Sequence, residues 1–303
     1  MICYFKYRIL LVFAGIFLLL SGCKGKVEQP ATASNPSFCW TDSYGREVVL
    51  MEKPERIVSL SPGITEMVFM LGAGDYLVGI SDFCKYPPET EKIAKVGGMQ
   101  NFSIEYVVSL KPDVVLIGSI VRKDDVNKIE MMGIPVIAIR EEEKIEGIYN
   151  TLTVLGKMLG KEDKAAAEIE AMKEKMSKID TLVSELPSRP KLYYVAGFGD
   201  AGDFTAPAGS HIHEILSLAG GQNIGAGLSS WAISREFLFQ QNPDYIIIRK
   251  EDAEHFCQTY PYTKLTAVIN SKIIPIESGW IDIVSPRNIW GIELINEKLR
   301  NEK

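Results

Sequence analysis

Short apolar runs and longer stretches of mixed polarity alternate along most of this 303-residue chain. Arg56-Ile57-Val58-Ser59-Leu60 has the character of a buried strand, and Ser61-Pro62 after it suits the cap and first residue of a helix. Met67, Val68, Met70 and Leu71 then form an apolar helix face that stops at Gly72. Further strands are predicted at 77–80, 114–117 and 136–139, separated by helical or loop segments, which is the pattern of a parallel α/β lobe. A second series begins at Lys191-Leu192-Tyr193-Tyr194-Val195. It continues through a helix at 210–219 ended by Gly220-Gly221 and strands at 245–249 and 272–276. A last helix, capped by Ser285-Pro286, carries Ile289, Trp290, Ile292, Leu294, Ile295 and Leu299.

The longest helical signal lies between the two series. No Gly or Pro interrupts 162–186, and Ile169, Met172, Met176, Ile179, Leu182, Val183 and Leu186 recur at three- and four-residue steps. A helix of that length is about 37 Å long, the scale of a domain. The expected arrangement is two α/β lobes on one stiff connector whose apolar stripe packs on both. Such a connector limits lobe closure more than paired flexible hinges would.

One pattern occurs twice, about 131 residues apart. Ser103-Ile104-Glu105 is followed by Pro112-Asp113 and the apolar run Val114-Val115-Leu116-Ile117; Ser234-Arg235-Glu236 is followed by Pro243-Asp244 and Tyr245-Ile246-Ile247-Ile248. Each half therefore presents one glutamate at the same place. Each glutamate has a local explanation, since a Ser cap followed by an acidic residue in the first turn stabilises a helix start by roughly 0.3–1 kcal/mol. Duplication would explain the shared spacing, and so would a common function. The residues alone leave these readings open.

The N-terminus reads as a targeting segment. Lys6 and Arg8 precede an apolar run at 9–20 that is short for a membrane span, and the run ends in Leu20-Ser21-Gly22-Cys23. That ending resembles the lipobox of bacterial lipoproteins, which implies cleavage before Cys23 and its lipidation. The expected organisation is a signal peptide at 1–22, a lipidated tether at 23–37, an N-terminal lobe at 38–144, a connecting helical segment at 145–187 and a C-terminal lobe at 188–303. The formal charge of −6 becomes about −8 once Lys6 and Arg8 are removed, and no basic run suggests nucleic-acid binding. Cys39, Cys84 and Cys257 remain in the mature chain at no metal-site spacing; a Cys39–Cys84 bridge is one open pairing.

Several motifs suggest chemistry without completing it. Gly197-Phe198-Gly199-Asp200-Ala201-Gly202 fits G-x-G-x-x-G, but Pro207 and Gly209 delay the next helix, so the glycines do not open one as a dinucleotide site requires. His211 and His213 are two apart and point to different helix faces, and only His255 remains elsewhere. His211, near the helix start, is the candidate cleft histidine. No nucleophile elbow, metalloprotease signature or P-loop is present. Phe83, Tyr86, Met99, Trp231 and Trp280 fall in connecting segments at strand ends, where ligand clefts form.

An ordered series of segments resembles the class III substrate-binding proteins of ABC importers. The segments are Asp42-Ser43-Tyr44-Gly45-Arg46-Glu47, Arg56 to Pro62, Thr65-Glu66, Val96-Gly97-Gly98, Leu110-Lys111-Pro112-Asp113, Gly220-Gly221-Gln222-Asn223 and Ser285-Pro286-Arg287. The resemblance implies two Rossmann-like lobes joined by one long α-helix. It also implies a membrane-anchored, extracytoplasmic receptor, periplasmic or on the outer face of the cell membrane, monomeric and without an intrinsic cofactor. Its partners would be an ABC permease dimer with its ATPase subunits. In this family one glutamate per lobe docks on arginines of the two permease subunits, and Glu105 and Glu236 stand in the matching motifs. Within the family, Ser81 to Glu89, Trp231, Ser278-Gly279-Trp280 and Arg287 are similar to cleft walls of vitamin B12 receptors. The ligand implied is a metal chelate, a cobalt corrinoid first and a ferric siderophore or haem as alternatives, with His211 or Tyr86 as axial ligand for haem. Gly279 stands where those receptors have an acidic residue, Met99 lies near a usual tryptophan, and 117–121 lacks an aromatic. Ligand-contact candidates are Phe83, Tyr86, Met99, His211, Trp231, Trp280 and Arg287, with Arg122, Arg140 and Arg249 as further cleft cations. An extracytoplasmic enzyme or chelatase on the same scaffold is the alternative from another class.

Overall fold

The computed structural model describes residues 35–118, 120–140 and 144–301. The expected signal segment, Cys23 and nearly all of the tether lie outside the described residues.

The described chain opens with a hairpin of β1 (Phe38–Thr41) and β2 (Glu47–Leu50). Its turn is built by Asp42, whose Oδ1 accepts the Tyr44 and Arg46 N–H groups while Gly45 takes a positive φ of 75°. Burial raises the Asp42 pKa, but the Arg46 guanidinium and backbone N–H donors outweigh it and hold the carboxyl below its ordinary range.

The first lobe comprises β3 (Ile57–Ser59), α1 (Pro62–Met70), β4 (Leu77–Ile80), α2 (Ile104–Ser109), β5 (Val114–Ile117), α3 (Lys123–Met131) and β6 (Val136–Ala138). Its strands form one parallel sheet in the order β4-β3-β5-β6. Two helices follow: α4 (Ile145–Leu159) and α5 (Glu162–Ser184). The second lobe then runs β7 (Lys191–Val195), β8 (Asp203–Phe204), α6 (His211–Leu218), β9 (Gln222–Asn223), β10 (Ala232–Ile233), α7 (Arg235–Gln241), β11 (Tyr245–Arg249), α8 (Lys250–Gln258), α9 (Thr266–Ile269), β12 (Ile273–Ile276) and α10 (Asn288–Arg300). Its parallel sheet has the order β12-β11-β7-β9. In both sheets the first strand is flanked by the second and third, so the halves share one topology.

The repeated motif has a matching local structure in each half. Ser103 Oγ accepts the Tyr106 N–H at 3.1 Å and Ser234 Oγ accepts the Phe237 N–H at 3.1 Å, each capping a helix. Lys111 and Asn242, the residues before the two prolines, both have positive φ, 49° and 43°. Asp113 Oδ2 then accepts the Glu55 and Arg56 N–H groups, as Asp244 Oδ2 accepts that of Lys191. Each aspartate thereby pins the neighbouring parallel strand's start.

The connector is a helix pair. Gly160 ends α4 with φ 60°, and Lys161 N–H closes on Gly156 O at 2.7 Å. Gly156 is needed for close packing, because a Cβ there would sit 2.7 Å from Ala165 Cβ. The 23 residues of α5 make a rod of about 34 Å. Met172 and Ile179 are buried in it, with Ile169, Met176 and Val183 packed partly against the same core. That core is continuous: it includes residues of α1, α4, α5, α6 and α10, so the two lobes share an apolar layer. A separate outer core lies on the far side of each sheet.

One expectation is corrected, and one open pairing is not formed. The last helix starts at Asn288, not at Ser285-Pro286; Ser285 Oγ accepts the Arg287 N–H, in a turn that Asn288 Oδ1 closes by accepting the Ser285 N–H. Cys84 is a free thiol, so no Cys39–Cys84 bridge forms. It is buried among hydroxyls, with Sγ 3.2 Å from Thr65 Oγ1 and 3.5 Å from Ser81 Oγ, whereas Cys39 lies on an exposed strand position.

Candidate ligand-binding cleft

All contacts that follow join segments beyond the C-terminal ends of parallel strands. Glu66 of α1, after β3, forms a bidentate ion pair with Arg287, after β12; the Nε–Oε2 distance is 2.8 Å. Tyr86, after β4, lies under the Arg287 guanidinium at 4.1 Å and meets Trp290 edge-on at 6.3 Å. Ile145 N–H, after β6, donates to Glu214 Oε2 of α6 at 2.8 Å. The carboxyl ends of the two sheets therefore face each other, the position where open α/β sheets receive ligands.

The segment 81–89 is held by backbone bonds from Asp82 N–H to Gly97 O and from Cys84 N–H to Ser81 O. Lys95 Nζ donates to Cys84 O at 2.7 Å. With Cys84 buried beneath, Phe83 projects and is 53 % exposed. A Cβ on Gly98 would lie 3.5 Å from the Phe83 ring, so that ring stands over the Gly98 backbone; Met99, the next residue, is half-buried. On the second lobe, Trp231 is 41 % exposed while its carbonyl accepts the Thr205 N–H at 2.8 Å. Trp280 packs edge-on against Trp290 at 5.6 Å. His211 Nε2 donates to Ile281 O at 2.7 Å, so that nitrogen serves the protein and is not directed at a ligand metal.

Tyr86, Trp280 and Arg287 thus come together through Trp290. Tyr86 and Arg287 also line a cavity of about 500 Å³, whose other walls include Phe69, Met172 of α5 and Trp290. Phe83, Met99, His211, Trp231 and Trp280 do not line it.

Three of the four arginines named as cleft cations pair with carboxylates, Arg122 sharing its Asp125 with Lys128. Arg122 pairs with Asp125 at 2.9 Å, Arg249 with Asp252 at 2.7 Å, and Arg287 with Glu66. Arg140 instead lines a smaller cavity beside Trp40 and Asp42. Burial raises the Glu66 pKa and outweighs the attraction of Arg287, which lowers it. Burial likewise raises that of Glu214, against the Ile145 N–H and Lys144.

Glu105 and Glu236 are both exposed, each the second residue of its helix. The residues that sequence reasoning left without a role are Glu66, Trp290 and Glu214. Thr65-Glu66 was visible as a motif, and Trp290 as a helix-face aromatic; nothing local indicates that Glu214 caps α4, whose own N-cap residue, Lys144, makes no side-chain bond.

Residues 57–278 match the family described as periplasmic binding protein, and the chain belongs to that family. It is 26 % identical over 301 residues to an uncharacterized ABC transporter substrate-binding lipoprotein of Bacillus subtilis, YvrC, with 93 % of each chain covered. It is 31 % identical over 237 residues to a vitamin B12-binding protein of Salmonella choleraesuis, covering 77 % of this chain and 86 % of the other. Among solved structures, the periplasmic vitamin B12 binding protein BtuF of Vibrio cholerae superposes with a TM-score of 0.72 at 21 % identity, covering 82 % of this chain and 97 % of that one. A periplasmic heme binding protein from Pseudomonas aeruginosa gives 0.75 at 20 % identity, covering 82 % and 94 %. These two likenesses establish the shared two-lobed fold.

Proposed function

We propose that this periplasmic binding protein captures a corrinoid between its lobes and delivers it to an ABC permease, and that it is not an enzyme. The observation that carries the ligand choice is the pairing of Arg122, Arg249 and Arg287 with carboxylates. An anionic ferric siderophore calls for unpaired cations, whereas a corrin is broad, largely apolar and rimmed by amides, and suits aromatic walls. Phe83, Tyr86, Met99, Trp231 and Trp280 would supply such walls, with Arg287 held against Tyr86. The names of the vitamin B12-binding relatives support the same choice. His211, engaged with Ile281, weighs against haem ligation through Nε2.

In this reading Cys23 carries the lipid that holds a monomeric receptor at the membrane surface, outside the cytoplasm. Glu105 and Glu236 each meet one permease subunit, where carboxylate–arginine pairs can be bidentate. The test is co-elution. Cyanocobalamin, haemin, a ferric hydroxamate and a ferric catecholate are each mixed with the protein and separated by size. The corrinoid alone should travel with the protein unchanged; co-elution of another chelate in its place, or recovery of altered product, would overturn the reading. The mass of the mature N-terminal peptide tests the anchor, an unmodified Cys23 counting against it.

A further inference from the structure

The cavity of about 500 Å³ stands apart from most of the proposed ligand walls. Of the candidate ligand contacts only Tyr86 and Arg287 reach it, and the connector α5, which supplies none of them, contributes Glu168, Ala171, Met172 and Lys175 to its lining. Its other walls are α1 and segment 86–89 of the first lobe and the start of α10 in the second. The volume falls within the roughly 300–1,000 Å³ of small-molecule sites. The interior is apolar and held in shape. Met172 and Ile289 are buried in it. The Phe69 ring lies against Gly74, where an added Cβ would collide with it. Trp290 meets Tyr86 edge-on at 6.3 Å and Trp280 at 5.6 Å. Glu66 and Arg287 satisfy each other, so together they offer a guest no net charge. Walls already in place spare a ligand the cost of ordering them.

The mouth carries the charge. Glu89, Ala171 and Lys175 are exposed there, and Glu168 is half-buried. Glu168 is held by Lys164 at 2.6 Å, and Lys175 lies 3.9 Å from Glu293. Glu89 has no cationic partner among the described residues.

We propose that this cavity is a second ligand site, for a small amphipathic organic cation. Its apolar or aromatic body lies among Phe69, Met172 and Trp290, and its ammonium group sits at the mouth beside Glu89. Such a site prefers a cation to the anion of the same shape, which Glu89 repels. The aromatic faces add to that preference. The assignment goes beyond the corrinoid reading and does not depend on it, because it rests on the cavity alone.

The experiment is calorimetric titration with 3-phenylpropylamine, 3-phenylpropanol and 3-phenylpropionate, probes of one shape that differ in charge. Wild-type protein should bind the amine saturably, one per chain, and more tightly than the alcohol or the carboxylate. Glu89→Gln should weaken the amine by about 2- to 5-fold, the range of an exposed charge pair, and leave the alcohol unchanged. Ala171→Trp fills the cavity from an exposed position of α5 and should weaken every probe by at least about 10-fold. Ala171→Lys, which sets a like charge at the mouth, should weaken the amine alone. Circular dichroism checks that each variant is folded, and either Ala171 variant locates the site if the other fails to fold. No saturable binding of the amine to wild-type protein would overturn the proposal. So would binding that a folded Ala171 variant leaves unchanged, which puts the probe elsewhere. Equal affinity for amine and carboxylate, or no effect of Glu89→Gln, would refute the choice of a cation.

Discussion

The Glu66–Arg287 pair joins residues 221 apart in sequence and links the two lobes through buried side chains, 5 % and 11 % exposed. Replacing Arg287 by Met keeps most of the volume and leaves Glu66 as a buried carboxylate without its cation. Removing one partner of a buried pair costs about 3–5 kcal/mol, whereas replacing both by apolar residues of similar size is often neutral. In a chain of this size each kcal/mol moves the melting midpoint by about 2–4 °C, so Arg287→Met should lose on the order of 10 °C at neutral pH. The double variant Glu66→Leu with Arg287→Met should recover most of that. The deficit should also depend on pH. The Glu66 pKa is already raised by burial, and loss of Arg287 raises it further. As pH falls, the variant's Glu66 takes up its proton first and the burial cost disappears, while the wild type later loses its own ion pair on protonation. The deficit should therefore shrink toward acid pH and grow toward neutrality. Thermal unfolding followed by circular dichroism from pH 4 to 8 measures both effects. A deficit below about 1 kcal/mol at neutral pH, or a double variant as unstable as the sum of the singles, would refute the argument.

Other consequences are smaller or of a different kind. Glu214→Ala should cost about 0.5–2 kcal/mol in urea unfolding by uncapping α4 across the lobe junction, and a loss under 0.3 kcal/mol would show that water replaces the cap. Glu105→Arg with Glu236→Arg should abolish uptake in cells while ligand affinity stays within about two-fold; a large loss of affinity would put these side chains in the cleft. Cys84, buried and with its thiol pKa raised by desolvation, should resist thiol reagents in the native protein and react on unfolding; native labelling at Cys84 would contradict its placement.

What the sequence made legible is what repeats or runs periodically. The apolar strands at 114–117 and 245–248, the serine caps and the Pro-Asp clamps are local, and their recurrence exposed the two-lobed plan. The positive φ values at Lys111 and Asn242 were hidden, because neither residue is glycine and only the proline after each marks the turn. The lack of breakers in 162–186 indicates one rod; the role of α4 as its packed partner depends on Gly156 lying against Ala165, a contact between helices. The candidate site shows in the sequence as aromatics on loops. Its electrostatics do not, since Arg249 and Arg287 look like free cations until Asp252 and Glu66 are seen beside them. Glu66 is the one charged residue of α1, and its partner lies at the far end of the chain.

A cleft with these aromatic walls and paired arginines should select a neutral, amide-rimmed corrinoid over anionic chelates. Calorimetric titration of the wild-type protein with cyanocobalamin, and separately with haemin and a ferric catecholate, checks this. One saturable corrinoid site per chain is expected, with no comparable heat from the other two. Tight binding of the catecholate or of haemin, with none of cyanocobalamin, would contradict it.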